Sequence, residues 1–411
     1  MIFWVCLGLL AYHYVGYPLL LFVFCALSKA TSDFWYLIRR RNRRCLPQTD
    51  YVPQVALLMS IYNEEAVIRA KVKNTLAIDY PPDRLEFLLG LDAPTDSTGG
   101  VLSQIQLNRL RVFPFQTRRG KLAVLCDLAA HTSAEILVFT DANTMLEKNC
   151  VRNLVRHFAD GRVGVVSGEE IRVVTPGTDP AGESLYWRYE SALKILESRL
   201  DCSLGGNGAA LAIRRSLFRP RKQSIVEDFQ IPLEIRFKGY RVVYDPEAVA
   251  VEEIAPTFSA QFARRVRISA GNYQTLFANP GCLNPMKGLV TFCFFSHRVL
   301  RWFAPALLLG AFFCSILLAT QLEYAVLLAA QSAFYLAAGL GYWLKKSGKP
   351  ARLLSMPLSF CSMNFALLLG FVRYLNGRQT LTWKPTLRQI PPEMLLDKGQ
   401  TIGEIAQRGS P

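Results

Sequence analysis

Val55-Ala56-Leu57-Leu58-Met59-Ser60-Ile61, followed by Tyr62-Asn63-Glu64-Glu65, decides how the middle of this chain is read. A short apolar run closed by a polar loop has the pattern of a strand buried on both faces. Residues 66–76 follow with helical character. The pattern returns at residues 85–91 (LEFLLGL), closed by Asp92-Ala93-Pro94-Thr95-Asp96, and at 136–140 (ILVFT), closed by Asp141-Ala142-Asn143. Helix-compatible segments separate the runs, among them 121–130. Strand, acidic loop and helix in repetition predict an α/β fold with a mostly parallel sheet. Ligands of such sheets bind beyond the carboxyl ends of the strands, where Tyr62, Glu64, Asp92 and Asp141 fall.

Four long stretches without Asp, Glu, Lys or Arg frame this region: residues 1–28, 303–320, 324–344 and 353–372. Each approaches the ~20 apolar residues that a helix needs to cross a bilayer. The first has no basic n-region and no small-x-small cleavage site, so it reads as an uncleaved anchor. The resulting division is an anchor (1–28), a basic linker (29–51), a catalytic domain (52–257), amphipathic interfacial helices (258–302), a C-terminal membrane region (303–372) and a basic tail (373–411).

Lys29, Arg39, Arg40, Arg41, Arg43 and Arg44 follow the first stretch, and Arg298 and Arg301 precede the second. The positive-inside rule then places the domain in the cytoplasm of a multi-pass inner-membrane protein. Four full crossings would leave the tail outside, against Arg373, Arg378, Lys384 and Arg388. Pro357 and Asn364 interrupt the last stretch, which is compatible with a broken or re-entrant segment.

The net charge of +15 sits largely beside the apolar spans, where anionic lipid headgroups are the nearer partner than nucleic acid. Ten cysteines without a C-x-x-C pair give no case for zinc or a disulfide framework. No G-x-x-x-x-G-K-[ST] or strand-linked G-x-G-x-x-G occurs, which argues against P-loop and dinucleotide chemistry. The absence of charge inside the four stretches argues against transport.

Asp141-x-Asn143 offers two oxygen-bearing side chains, and magnesium commonly pairs one or two carboxylates with substrate phosphates. Glu227-Asp228 precedes a helix at 229–237; Asp228 is a candidate general base for an attacking hydroxyl, or one of two carboxylates complementing a helix dipole. Gly205-Gly206-Asn207-Gly208 permits either a close backbone approach or a tight turn. In the amphipathic segment 258–277, Phe262, Val266, Ala270, Tyr273 and Phe277 form an apolar stripe. Gln261, Arg264 and Arg265 share another face, suited to phosphate oxygens or to lipid headgroups.

Taken in order, these pieces resemble the family 2 glycosyltransferases, the group of cellulose, hyaluronan and poly-N-acetylglucosamine synthases. The landmarks are Tyr62-Asn63-Glu64, Asp92-Ala93-Pro94-Thr95-Asp96 in the place of D-G-S-T-D, Gly120-Lys121, Asp141-Ala142-Asn143, Glu227-Asp228 and Gln261-x-x-Arg264. The resemblance implies a GT-A-type nucleotide-binding domain flanked by transmembrane helices, with inversion at the anomeric carbon. It implies Tyr62, Glu64 and Asp92 at the nucleoside, Lys121 near the nucleotide, and Asp141 with Asn143 at Mg2+ or Mn2+. Asp228 would be the base, and Gln261 and Arg264 would steady acceptor and leaving group. The implied partners are a nucleotide-sugar donor, taken as a UDP-sugar, a glycan or lipid-linked acceptor, and membrane lipids.

Three positions depart from the family pattern: Asn143 for a second Asp, Val226 for Thr, and Arg265 where processive synthases carry Trp. Polymer synthesis and single transfer to a lipid-linked acceptor both stay open, with a non-catalytic scaffold behind them. The stretch Trp383-Lys384-Pro385-Thr386 is expected to fold back toward the site.

Overall fold

The computed structural model describes residues 1–39, 51–105, 109–173, 181–219, 224–253, 257–349, 352–377 and 395–396. The chain forms two compact units that do not follow its linear order. One comprises Trp35–Pro176, Ser203–Thr257 and Thr380–Pro411; the other comprises Met1–Phe34, Gly177–Cys202 and Phe258–Gln379.

The first unit is built on an eight-stranded mixed sheet of β1 (Val55–Ile61), β2 (Leu85–Asp92), β3 (Leu110–Phe115), β4 (Ile136–Phe139), β5 (Thr144–Leu146), β6 (Val163–Val173), β7 (Leu211–Arg214) and β8 (Arg241–Glu253). The strand order is β3-β2-β1-β4-β7-β6-β8-β5. β1 runs parallel to β2 and β4, and β2 parallel to β3, so these four strands present their carboxyl ends along one edge. β7 joins antiparallel to β4.

All of β1 is buried, because successive residues feed two opposite cores. Val55, Leu57, Met59 and Ile61 pack with Ile68 and Val72 of the helix Ile68–Leu76. Ala56 and Leu58 pack with Leu122, Leu125 and Leu128 of the helix Lys121–Ala130. That two-sided burial is why the run is apolar throughout instead of alternating. At about 25 cal/mol per Å2 of apolar surface, each fully buried Leu or Met contributes roughly 1.5–3 kcal/mol.

The loops after β1 and β2 are tied to one another. Asn63 Nδ2 donates to Thr95 Oγ1 at 2.9 Å, and Thr95 N donates to Asn63 Oδ1 at 2.8 Å. Both loops turn through left-handed backbone, with φ of 52° at Asn63 and 51° at Ala93. Asn tolerates that conformation; Ala is strained by it.

Among the described residues, the second unit holds four helices long and apolar enough to cross a membrane: Ile2–Thr31, Leu289–Leu317, Leu322–Lys346 and Ser355–Leu375. Three agree with the apolar stretches of the sequence. The other begins at Leu289, well before residue 303, and so takes in His297, Arg298 and Arg301. This corrects the expectation of charge-free spans. The charges are accommodated because the helix ending at Arg199 supplies partners: Glu190 lies 2.5 Å from Arg301 and 3.4 Å from Arg298. Glu197 lies 2.7 Å from His297 Nδ1 and accepts from the Tyr17 hydroxyl at 2.7 Å. Buried charge is tolerated only with such pairing.

The amphipathic helix Phe258–Ala278 lies along Ser355–Leu375. Phe262 meets Phe365, Tyr273 meets Phe371, and Phe277 stacks on Tyr374. Gly370 allows the approach, since a Cβ there would lie 2.4 Å from Ser269. The predicted stripe is therefore packing: Ala270 and Tyr273 are buried.

Candidate active site

Asp141 follows β4, Lys121 opens the helix after β3, and Asp228 stands in the first turn of the helix Glu227–Phe237. Lys121 Nζ lies 2.7 Å from Asp141 Oδ1 and 2.9 Å from Glu227 Oε1. The loop before β7 closes the group. Gly206 N donates to the carbonyl of Asp228 at 3.0 Å, and Gly208 N donates to Asp228 Oδ2 at 3.2 Å. Asn207 holds that loop in place, donating to the Gly168 carbonyl at 2.6 Å and accepting from Ala210 N at 3.0 Å.

Gly208 marks the point of convergence. A Cβ at that position would lie 2.9 Å from Lys121 Nζ, 3.5 Å from Asp141 Oδ2 and 3.7 Å from Asp228 Oδ2. One ammonium and two carboxylates thus converge on Gly208, and a side chain there would have to displace the Lys121 terminus. The glycine-rich stretch brings its backbone close to these three side chains.

The electrostatics follow from this crowding. Burial, reinforced by Glu227, pushes the Asp228 carboxyl up to about 6 even though Lys121 pulls the other way. Burial opposes the charge on Lys121, but Asp141 and Glu227 outweigh it and raise its pKa, so it stays an ammonium. Glu227, which the sequence offered only as a helix-terminal carboxylate, is the partner that completes this bridge.

Asp92 ends β2 and turns its carboxylate to the backbone before Lys121. It is 1% exposed, and its two oxygens accept from Arg119 N at 2.6 Å and Gly120 N at 2.9 Å. Its carboxylate fixes the turn that delivers Lys121. Tyr62, after β1, lies under Arg118 of the same turn, with the guanidinium carbon 3.5 Å from the ring centroid. Cation–π stacking of this kind holds the turn from its other side. Glu64 N donates to Thr98 Oγ1 at 2.9 Å within the β1–β2 loop contacts.

Asn143 is buried, and its amide nitrogen donates to Glu252 Oε1 at 2.7 Å. Of the D-x-N pair, Asp141 is the side chain that reaches the convergence point. Among the described residues no group of three or more His, Cys, Asp or Glu is arranged to hold a metal. A divalent cation would therefore use Asp141, with Asp228 facing the same space, and take its other oxygens from diphosphate and water. That donor set suits a hard ion. Gln261 and Arg264 belong to the helix Phe258–Ala278 of the other unit, where both are half-buried.

The mixed, mostly parallel sheet places the chain in the GT-A-like fold class. Residues 56–219 match Glycosyl transferase family 2, and the chain carries a domain of that family. It is 27% identical over 272 residues to the beta-monoglucosyldiacylglycerol synthase of Synechocystis sp., covering 62% of this chain and 55% of that one. It is 22% identical over 270 residues to the poly-beta-1,6-N-acetyl-D-glucosamine synthase of Staphylococcus aureus, covering 62% and 64%. The chain thus spans between half and two thirds of these relatives' lengths. In fold it is similar to the mannosyltransferase PcManGT of Pyrobaculum calidifontis, solved with GDP-Man and Mn2+. The TM-score is 0.69 at 24% identity, over 92% of this chain and all of that one.

Proposed function

We propose that this protein transfers a sugar, with inversion, from a nucleotide-sugar donor to a hydroxyl of a polysaccharide or lipid-linked acceptor. The observation that carries the reading is the meeting of Asp141, Asp228 and Lys121 around Gly208. The acceptor oxygen attacks the anomeric carbon as its proton passes to Asp228, and the bond from that carbon to the diphosphate oxygen breaks on the opposite face. The nucleoside diphosphate leaves. Lys121 places a fixed positive charge beside Asp141, where the diphosphate's negative charge develops. A bound Mg2+ or Mn2+ would supply further neutralisation of that leaving group. Gln261 and Arg264 are assigned to acceptor and leaving group on the family motif.

Arg265 favours single addition, since it stands where the resemblance places an acceptor-lining Trp in polymer-forming synthases. Purified protein incubated with individual nucleotide sugars and Mg2+ or Mn2+ should release nucleoside diphosphate. A discrete glycosylated product supports single addition, and long polymer supports the synthase reading.

The domain is assigned to the cytoplasmic face from the basic flanks. Leu395, only 1% exposed, packs with Met145, Val173 and Val251 of the same unit. That burial supports a tail on the domain's side of the membrane. An even number of crossings must then separate Glu253 from Leu395, yet three candidate helices intervene. Ser355–Leu375 is the one assigned as not crossing, because it runs beside the helix bearing Arg264, Arg265 and Arg267. Trp383-Lys384-Pro385-Thr386 lies outside the described residues, as do the linker arginines Arg40, Arg41, Arg43 and Arg44.

A further inference from the structure

Lys71 is fully buried on the core face of the helix Ile68–Leu76, between Ile68 and Val72. A helix face turned to a core is expected to be apolar, and a lysine there breaks the local pattern. Among the described residues no carboxylate pairs with it. Its two hydrogen-bond partners are instead the Thr140 hydroxyl, at 3.0 Å, and the Thr144 carbonyl. Thr140 ends the run of β4 and Thr144 begins β5, so one lysine amine joins both ends of the five-residue segment that carries Asp141 and Asn143. Burial pushes the Lys71 amine down to about 7, with the Asp141 carboxylate pulling the other way, so placing it here carries a cost. An apolar residue of similar length would fill the same volume without that cost.

We propose that Lys71 is a positioning residue for donor binding: it clamps the Thr140–Thr144 segment so that the Asp141 carboxylate is held at the cation and diphosphate of the nucleotide sugar. The segment is held elsewhere by the Lys121–Asp141 ion pair and by the pairing of Thr144 with Glu252, neither of which ties its two ends together. β4 lies in the middle of the strand order and β5 at its edge, and the chain between them is bent by the Thr144 N to Asp141 O hydrogen bond of 3.2 Å. Asn143 anchors one side through Glu252. Lys71 anchors the other from beneath, without occupying Asp141's oxygens. This inference rests on the reading of Asp141 as the metal-facing carboxylate.

The test is calorimetry on the full-length protein in detergent, titrating UDP and GDP with Mn2+ and again with EDTA. Three variants are compared with the parent, and thermal unfolding of each is recorded. Asp141→Ala should abolish the Mn2+-dependent gain in affinity. Lys71→Met should reduce that gain at least tenfold while binding in EDTA is unchanged. Thr140→Val, which removes one of the clamp's two contacts and keeps the charge, should reduce it at least threefold. A folded Lys71→Met with the parent's Mn2+ dependence overturns the clamp and leaves the site reading intact. Should Lys71→Met fail to fold, Thr140→Val decides, and an unchanged Mn2+ dependence overturns the clamp. An Asp141→Ala variant with undiminished Mn2+ dependence overturns the site reading itself.

Discussion

The Gly208 amide donates to Asp228 Oδ2 at 3.2 Å, so a backbone group steadies the carboxylate assigned as the base. A Cβ at the same position would press on Lys121 Nζ at 2.9 Å, so the lysine terminus would have to move. Gly208→Ala should therefore displace Lys121 from the Asp141–Glu227 bridge. The expected result is a loss of kcat of at least tenfold with a Tm within about 3 °C of the parent, because the obstructing atom is a side-chain terminus in a cleft. Rates and melting curves of the purified variant check this; unchanged kcat would count against the convergence.

Ala93 sits at φ 51°, a conformation that L-residues adopt at a cost of about 1–2 kcal/mol. Ala93→Gly should relieve it, offset in part by the greater freedom of glycine in the unfolded chain. A net gain of roughly 0.5–1 kcal/mol is expected, read as an increase in Tm. A decrease would show that the Ala93 methyl contributes packing that outweighs the strain.

Glu190 holds Arg298 and Arg301 in the apolar unit. Glu190→Gln leaves Arg301 without its charged partner and should cost roughly 3 kcal/mol, seen as a lower Tm in detergent. Replacing Glu190 and Arg301 together by Met should recover much of that loss. If the double variant melts no higher than Glu190→Gln, the pair is not the stabilising contact.

The burial of Leu395 against Val251 predicts that the chain's end shares a compartment with the catalytic domain. A cysteine introduced at position 405 should resist a membrane-impermeant maleimide in intact cells and react after lysis. Labelling in intact cells would remove the argument that Ser355–Leu375 does not cross.

The parallel half of the sheet was legible because its strands are buried on both faces and end in polar loops. Residues 55–61 correspond to β1, and 85–91 and 136–140 to β2 and β4 within a residue. β3 (Leu110–Phe115) was not, since Arg111 and Pro114 obscure it; a strand at the sheet's edge tolerates Pro. β8 hides behind Asp245-Pro246, which reads as a turn but sits where its register with β6 shifts. At the site, Asp141, Lys121 and Asp228 could be named from strand ends and motifs. The roles of Asp92, Glu227 and Lys71 could not, because each depends on a partner distant in sequence: the 119–120 amides, Lys121 and the Thr140–Thr144 segment.

The central claim is that Asp228 is the base, and its raised pKa ties two observables to one substitution. Burial and the neighbouring Glu227 push the carboxyl up to about 6, against about 3.9 for a free aspartate. Transfer by the parent should rise about tenfold per pH unit below 6 and level off above 7. For stability the sign is opposite to that of a salt-bridged acid. A raised pKa means that the folded state holds the proton more tightly, so the contribution is complete below about 4 and lost as pH rises through 6. The decisive measurement is Asp228→Asn, assayed for nucleoside diphosphate release and for Tm from pH 4 to 8. The account predicts transfer reduced at least a thousandfold and a Tm that exceeds the parent's above pH 6 but matches it near pH 4. Near-normal turnover by Asp228→Asn would contradict it.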